Sequence, residues 1–126
     1  MSKHITAFGK EGEAQAADFL KGKGYKIVRV NYKTKLGEID IIARDKDTIC
    51  FIEVKTRQSD KFGLGQEAVS WRKQAQVSKT SVIYLKENKL LDKKARFDVV
   101  SALNSDKGFE FNLIKNAFEL SENYAC

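Results

Sequence analysis

Proline is absent from all 126 residues, so the turns of this chain have to be made by Gly, Asn and Asp rather than by a ring-locked φ. Cysteine is scarce. Cys50 lies inside an apolar run and Cys126 is the last residue, which excludes a disulfide framework and a zinc-type spacing and fits a reducing cytoplasm. The only histidine is His4, near the terminus and expected at the surface. A serine or cysteine nucleophile with a histidine base is therefore excluded. There is no glycine-rich nucleotide loop. No stretch approaches the ~20 apolar residues of a membrane span, and Met1 to Lys10 has no apolar signal segment, so a cytoplasmic protein is expected.

What is present describes an ordinary folded protein. A hydrophobic fraction of 42% beside 32% charged residues is that of a soluble globular chain rather than a disordered one. Without linkers, repeats or low-complexity tracts, residues 1–126 read as a single domain. The formal net charge is +6. Such an excess suggests a polyanion partner, with nucleic acid first and an anionic membrane surface second.

Periodicity gives the order α-β-β-β-α-β-β. Gly9 to Lys23 is predicted helical, with Ala16, Ala17 and Leu20 on one face, Glu13 sharing that inward side, and Gly24 stopping it. Tyr25 to Tyr32 alternates like a strand, and Asn31 to Lys35 reads as a basic turn region. Gly37 to Arg44 and Ile49 to Thr56 are β-branched runs flanking a turn at Lys46-Asp47. Gln66 to Asn88 is a long predicted helix with Ala68, Trp71, Ala75, Val82 and Leu85 as its buried stripe. Arg96 to Leu103 and Phe109 to Ile114 are two more strands around a turn in Asn104 to Gly108. The expected fold class is α/β, a mixed sheet flanked by helices.

The Lys46-Asp47 turn sets the register of the central hairpin. It places Asp40 opposite Glu53, Glu38 opposite Lys55, Ile39 opposite Val54 and Ile41 opposite Ile52, and a one-residue slip would mix charged and apolar partners on both faces. Like charges facing each other across a ladder cost free energy, and a divalent metal is the obvious compensation. Mg²⁺ takes hard oxygen ligands. Asp40 and Glu53 supply two, the Val54 carbonyl a third, and Glu13 another if the first helix packs on this face. Lys55 points the same way as Glu53 and can orient a water or neutralise charge at phosphorus. The plain alternative is a solvated sheet end with Lys55 paired to Glu38. Against it stands Glu13, an acid on an apolar helix face, which is costly without a partner.

Asp40 followed by Glu53-x-Lys55 resembles the PD-(D/E)xK motif of the restriction-endonuclease-like nucleases. Together, Gly9-x-x-Gly12-Glu13-x-x-Ala16-x-x-Phe19-Leu20, Gly37-Glu38-Ile39-Asp40-Ile41-Ile42, Phe51-Ile52-Glu53-Val54-Lys55-x-Arg57 and Arg96-Phe97-Asp98-Val99 resemble the YraN-like uncharacterised bacterial family within that superfamily. The plan is also similar to that of archaeal Holliday-junction resolvases. The resemblance implies the restriction-endonuclease-like fold, a Mg²⁺- or Mn²⁺-dependent nuclease acting on DNA, a branched or repair substrate, and a possible homodimer. It implies Glu13, Asp40, Glu53 and Lys55 as the active set. The proline of the short motif is missing, since Ile39 precedes Asp40. The alternative is a nucleic-acid-binding accessory protein that keeps the fold with little or no activity.

Secondary features carry less. Lys73-Gln74 resembles a position where related nucleases contact the site, although a solvated helix face is the plainer reading. Arg57, Lys61, Arg72 and Lys73 can line a phosphate track. Trp71 and Tyr84 can stack on bases, but core packing is the stronger reading for Trp71. Asp98 reads as a structural ion-pair partner of Arg96 or a neighbouring strand rather than as a ligand.

Overall fold

The structure is a computed structural model that describes residues 7–57 and 70–118. In chain order the elements are α1 (Ala7–Gly22), β1 (Lys26–Thr34), β2 (Gly37–Asp45), β3 (Thr48–Arg57), α2 (Trp71–Glu87), β4 (Ala95–Ser105) and β5 (Gly108–Phe118). This is the α-β-β-β-α-β-β order that periodicity predicts. The five strands form one sheet in the order β1-β2-β3-β4-β5. β3 and β4 are parallel and all other neighbours antiparallel. α2 makes the crossover that a parallel pair requires.

The end of α1 shows why Gly24 stops the helix. Gly24 adopts φ 96°, a left-handed conformation that glycine takes at little cost. Its N–H donates to the Lys21 carbonyl at 3.0 Å, and the Tyr25 N–H reaches the Leu20 carbonyl at 3.0 Å. These two bonds satisfy carbonyls the last turn would otherwise leave open. α2 starts on Ser70, whose hydroxyl accepts the Lys73 N–H at 3.2 Å; this is N-capping by serine.

The helices cover opposite faces of the sheet. Ala16 and Leu20 of α1 pack with Ile41, Ala43, Cys50, Ile52, Val54 and Val100. Val77, Tyr84 and Leu85 of α2 pack with Tyr32, Ile39, Ile42, Phe51 and Phe97. Tyr84 meets Tyr32 and Phe51 edge-on, with ring centroids 5.3 and 6.0 Å apart, a favoured aromatic geometry.

Several sequence expectations change. β1 continues through Asn31–Thr34, where a turn was expected, because these residues still pair with β2 up to Thr34–Gly37. The turn itself narrows to Lys35 and Leu36. β5 runs to Phe118, past the expected end at Ile114. Trp71 is not part of a buried stripe: it is 82% exposed, since it opens α2 ahead of the turns that meet the sheet. Val82 and Leu85 are buried as expected. Ala68 and the predicted first turn of that helix, with His4, Lys61 and Cys126, lie outside the described residues.

Asp98 anchors the polar part of the interior. It is fully buried and accepts from Arg96 Nε at 3.0 and 3.2 Å, the Tyr25 hydroxyl at 3.1 Å and the Asn116 N–H at 2.9 Å. The last bond sits where the β4–β5 register shifts between Phe97 and Val99. Arg96 also donates to Asp45 at 2.8 Å, and that interaction holds the Asp45 carboxyl below its ordinary range. The ion pair expected of Asp98 is present and extends into a network.

Two outcomes are expected. Asp98→Ala leaves the Arg96 guanidinium short of its main counter-charge, and breaking such a pair costs about 3 kcal/mol or more. Urea unfolding measures this, and a loss below about 1 kcal/mol would contradict the assignment. Burial, and then the Asp98 charge, pushes the Cys50 thiol up to about 12. Because the thiolate is the reactive form, Cys50 in a Cys126→Ser background should resist disulfide reagents at pH 8 until the protein unfolds. Rapid native labelling would show that the strand opens.

Candidate active site at the fork between β2 and β3

The β2–β3 ladder runs from Asp45–Thr48 around the Lys46-Asp47 turn to Ile41–Ile52, in the register read from the sequence. Among the described residues it stops there. Instead of continuing to the expected Ile39–Val54 and Glu38–Lys55 pairs, the strands part. Asp40 Oδ2 accepts the Val54 N–H at 2.9 Å. A strand's N–H groups lie in the plane of its sheet, so this carboxylate occupies the place of a β2 backbone carbonyl. The N–H and C=O of a strand residue point to the same flank, so the Val54 carbonyl opens into the same fork.

The parting also shifts the alternation of β2. Ile39 and Ile42 both pack on the α2 side, whereas Ile41 and Ala43 pack on the α1 side. Strict period-two alternation would put Ile39, Ile41 and Ala43 on one face, and β2 departs from it at Asp40. Asp40 and Ile41 instead line one cavity of ≈ 270 Å³ with Glu13, Lys10 and Ala14 of α1 and Asn31 of β1. The face reading for Glu13 thus brings it to the same cavity as Asp40. Gly12 lets α1 come this close: a Cβ there would run into the Thr56 side chain of β3 and meet the Phe109 ring.

Glu53 approaches the fork from the other face. Its Oε1 pairs with Lys73 Nζ of α2 at 3.2 Å, while its buried Oε2 has no hydrogen-bond partner among the described residues. Asp40 and Glu53 are 2% and 3% exposed, so both acids sit where a charge is expensive unless compensated. Lys55, half-buried on β3, follows Glu53 by two residues and shares its side of the strand. Gly37 lies against α2, where a Cβ would meet Gln76.

Among the described residues, no three of His, Cys, Asp and Glu are grouped closely enough to form a metal cluster. Donor chemistry still bears on a divalent ion, because Mg²⁺ keeps several waters and often takes only one or two carboxylates. Asp40, Glu53 and the Val54 carbonyl are hard oxygen donors of the kind such an ion takes.

A family model described as "Uncharacterised protein family UPF0102" matches residues 12–102. The chain belongs to this family. A UPF0102 protein of Syntrophus aciditrophicus (strain SB) is 52% identical over 113 residues, covering 90% of this chain and 89% of the relative. A UPF0102 protein of Geotalea uraniireducens (strain Rf4) is 48% identical over 116 residues, covering 91% of each. A solved structure titled "Crystal structure of SSO0001" aligns with 88% of this chain at 19% identity. Its TM-score is 0.39, too low to carry an argument, and the chain spans about half of that protein (52%). The family match covers α1 from Gly12 through β4 to Ala102, and so includes Glu13, Asp40, Glu53 and Lys55.

The remaining candidates in this UPF0102 chain divide. Lys73 pairs with Glu53 and is largely covered, so the solvated-face reading does not describe it. Gln74 is half-buried beside it, Arg72 is exposed, and Arg57 is half-buried at the end of β3. Lys61 lies outside the described residues. The hydrogen bond from Val54 to Asp40 was not legible in the sequence, because a regular ladder was the simpler continuation.

This bond gives a specific expectation. Asp40→Ala strands a buried N–H and should cost about 1–3 kcal/mol in urea unfolding. Asp40→Asn keeps an acceptor and should cost clearly less. Equal losses would show that Asp40 does not replace the ladder bond.

Proposed function

We propose that this UPF0102 protein is a Mg²⁺- or Mn²⁺-dependent nuclease that hydrolyses DNA phosphodiesters, with branched or repair intermediates as the favoured substrates. The observation that carries the reading is the pair of buried acids, Asp40 and Glu53, set where β2 and β3 part. Asp40 has a structural use in satisfying the Val54 N–H, but two buried carboxylates in one sheet are costly unless cations compensate them. The net charge of +6 suits a polyanionic substrate.

In this reading Asp40, Glu53 and the Val54 carbonyl would hold the divalent ion, and Glu13, at the cavity Asp40 lines, would add a further carboxylate. The bound ion supplies Lewis acidity and a more acidic water. Lys55 places an ammonium beside the reacting phosphate, where it orients the attacking water and offsets charge on the phosphorane. Lys73 meets the Glu53 carboxylate from α2. Arg72, exposed on α2, offers a cation along which a phosphate backbone can run.

Supercoiled, linear, single-stranded and four-way-junction DNA, each with Mg²⁺ or Mn²⁺, test this directly. Cleavage should appear on at least one substrate, stop with chelator, and fall by about 10²-fold or more in Glu53→Gln and Lys55→Ala. Calorimetric Mn²⁺ binding should disappear in Asp40→Asn. Cleavage that survives Glu53→Gln would assign the activity elsewhere.

One observation favours the second reading, a DNA-binding accessory protein without activity: the three acids do not close into one cluster. Salt-sensitive DNA binding that ignores divalent ions and survives Asp40→Ala, with no cleavage of any substrate, would select it.

A further inference from the structure

Trp71 is the only tryptophan of the chain, and it stands 82% exposed on the first turn of α2. Tryptophan is buried on average, so an indole this open offers its ring face to a partner. Its surroundings narrow the partner. The first turn of α2 contains no acid, Arg72 beside it is exposed, and Lys73, two residues on, reaches Glu53 at the fork. A flat π-face beside the exposed Arg72 cation, on the same helix turn that reaches Glu53, matches a nucleotide strand: the ring takes a base and Arg72 takes a phosphate.

We infer that Trp71 forms a base-stacking subsite for an unpaired nucleobase next to the phosphate held at the fork. The inference rests on the nucleic-acid reading above and adds a substrate preference to it. A base can lie on Trp71 only when it is unstacked from its neighbours, so the subsite favours single-stranded or distorted DNA over regular duplex. Trp71 is a positioning residue, since it touches the substrate's base and none of the groups at the fork.

The single tryptophan makes the test direct. The protein, in chelator so that nothing is cleaved, is titrated with a dye-labelled single-stranded oligonucleotide and with an abasic oligonucleotide of equal length and charge. Tryptophan emission reports stacking, and dye anisotropy reports affinity. The base-bearing strand should quench the emission and bind about tenfold more tightly than the abasic strand. Trp71→Ala should erase that difference while leaving thermal unfolding unchanged, and Trp71→Phe should restore part of it. If both strands bind equally well and neither quenches more than the other, the subsite is refuted while the nucleic-acid reading stands. If neither strand binds at low salt, both are refuted. Equal loss of affinity for both strands in Trp71→Ala would also overturn the inference.

Discussion

The hydrogen bond from the Val54 amide to the Asp40 carboxylate is the constraint on which the rest of the site depends. A backbone N–H in the middle of a sheet has to be satisfied, and a regular hairpin would do this with a carbonyl of β2. Here a side chain does it. The strands can then separate, β2 can shift its alternation, and a carboxylate can lie inside the sheet rather than on its surface. Had the ladder continued, Asp40 would face Glu53 as a like-charged cross-strand pair, and the two acids would have turned toward solvent.

Both helices are pressed against this fork by close approaches that only glycine permits. Gly12 admits Thr56 and Phe109 against α1, and Gly37 admits Gln76 of α2 against β2. Each glycine stands directly before an acid, Glu13 and Glu38. The first approach sets how near Glu13 comes to the cavity shared with Asp40. The second ties β2 to the helix that carries Lys73. Each face of the sheet therefore has its own charged neighbour near the parting strands: α1 brings Glu13 to the Asp40 cavity, and α2 brings Lys73 to Glu53.

Much of this was legible in the residues. Element order, the Lys46-Asp47 turn and the register of the central hairpin follow from period-two patterning and turn chemistry, because a one-residue slip would have buried charge. Gly24 as a helix stop followed from its position after the last apolar residue. Other features were hidden for definite reasons. The alternation shift at Asp40 leaves no mark in composition: Ile39, Ile41 and Ile42 are all apolar, so either phase looks equally good. Trp71 fell on a helical stripe, but a stripe position is buried only where the helix has a sheet beneath it. Asn31 adopts φ 53° within β1, and asparagine's tolerance of that region is also why the segment read as a turn.

The two buried acid systems of the protein differ in how their charge is held, and under the proposed nuclease reading the difference separates a structural device from a chemical one. Asp98 is held by the Arg96 guanidinium, which contacts both of its oxygens, and by a tyrosine hydroxyl and a backbone amide. A planar fork locked between two strands and an aromatic ring leaves little room for exchange. Glu53 is met by the ammonium of Lys73, a point charge on a flexible stem whose side chain is 23% exposed. Such a cation exchanges for another positive partner more readily than a guanidinium does, because ammonium is strongly hydrated and its side chain gains rotamer freedom on release. An acid whose only purpose was stability would be better served by the arrangement around Asp98. An acid that has to accept another positive partner is better served by one that can leave, and the lysine that holds Glu53 is of that kind.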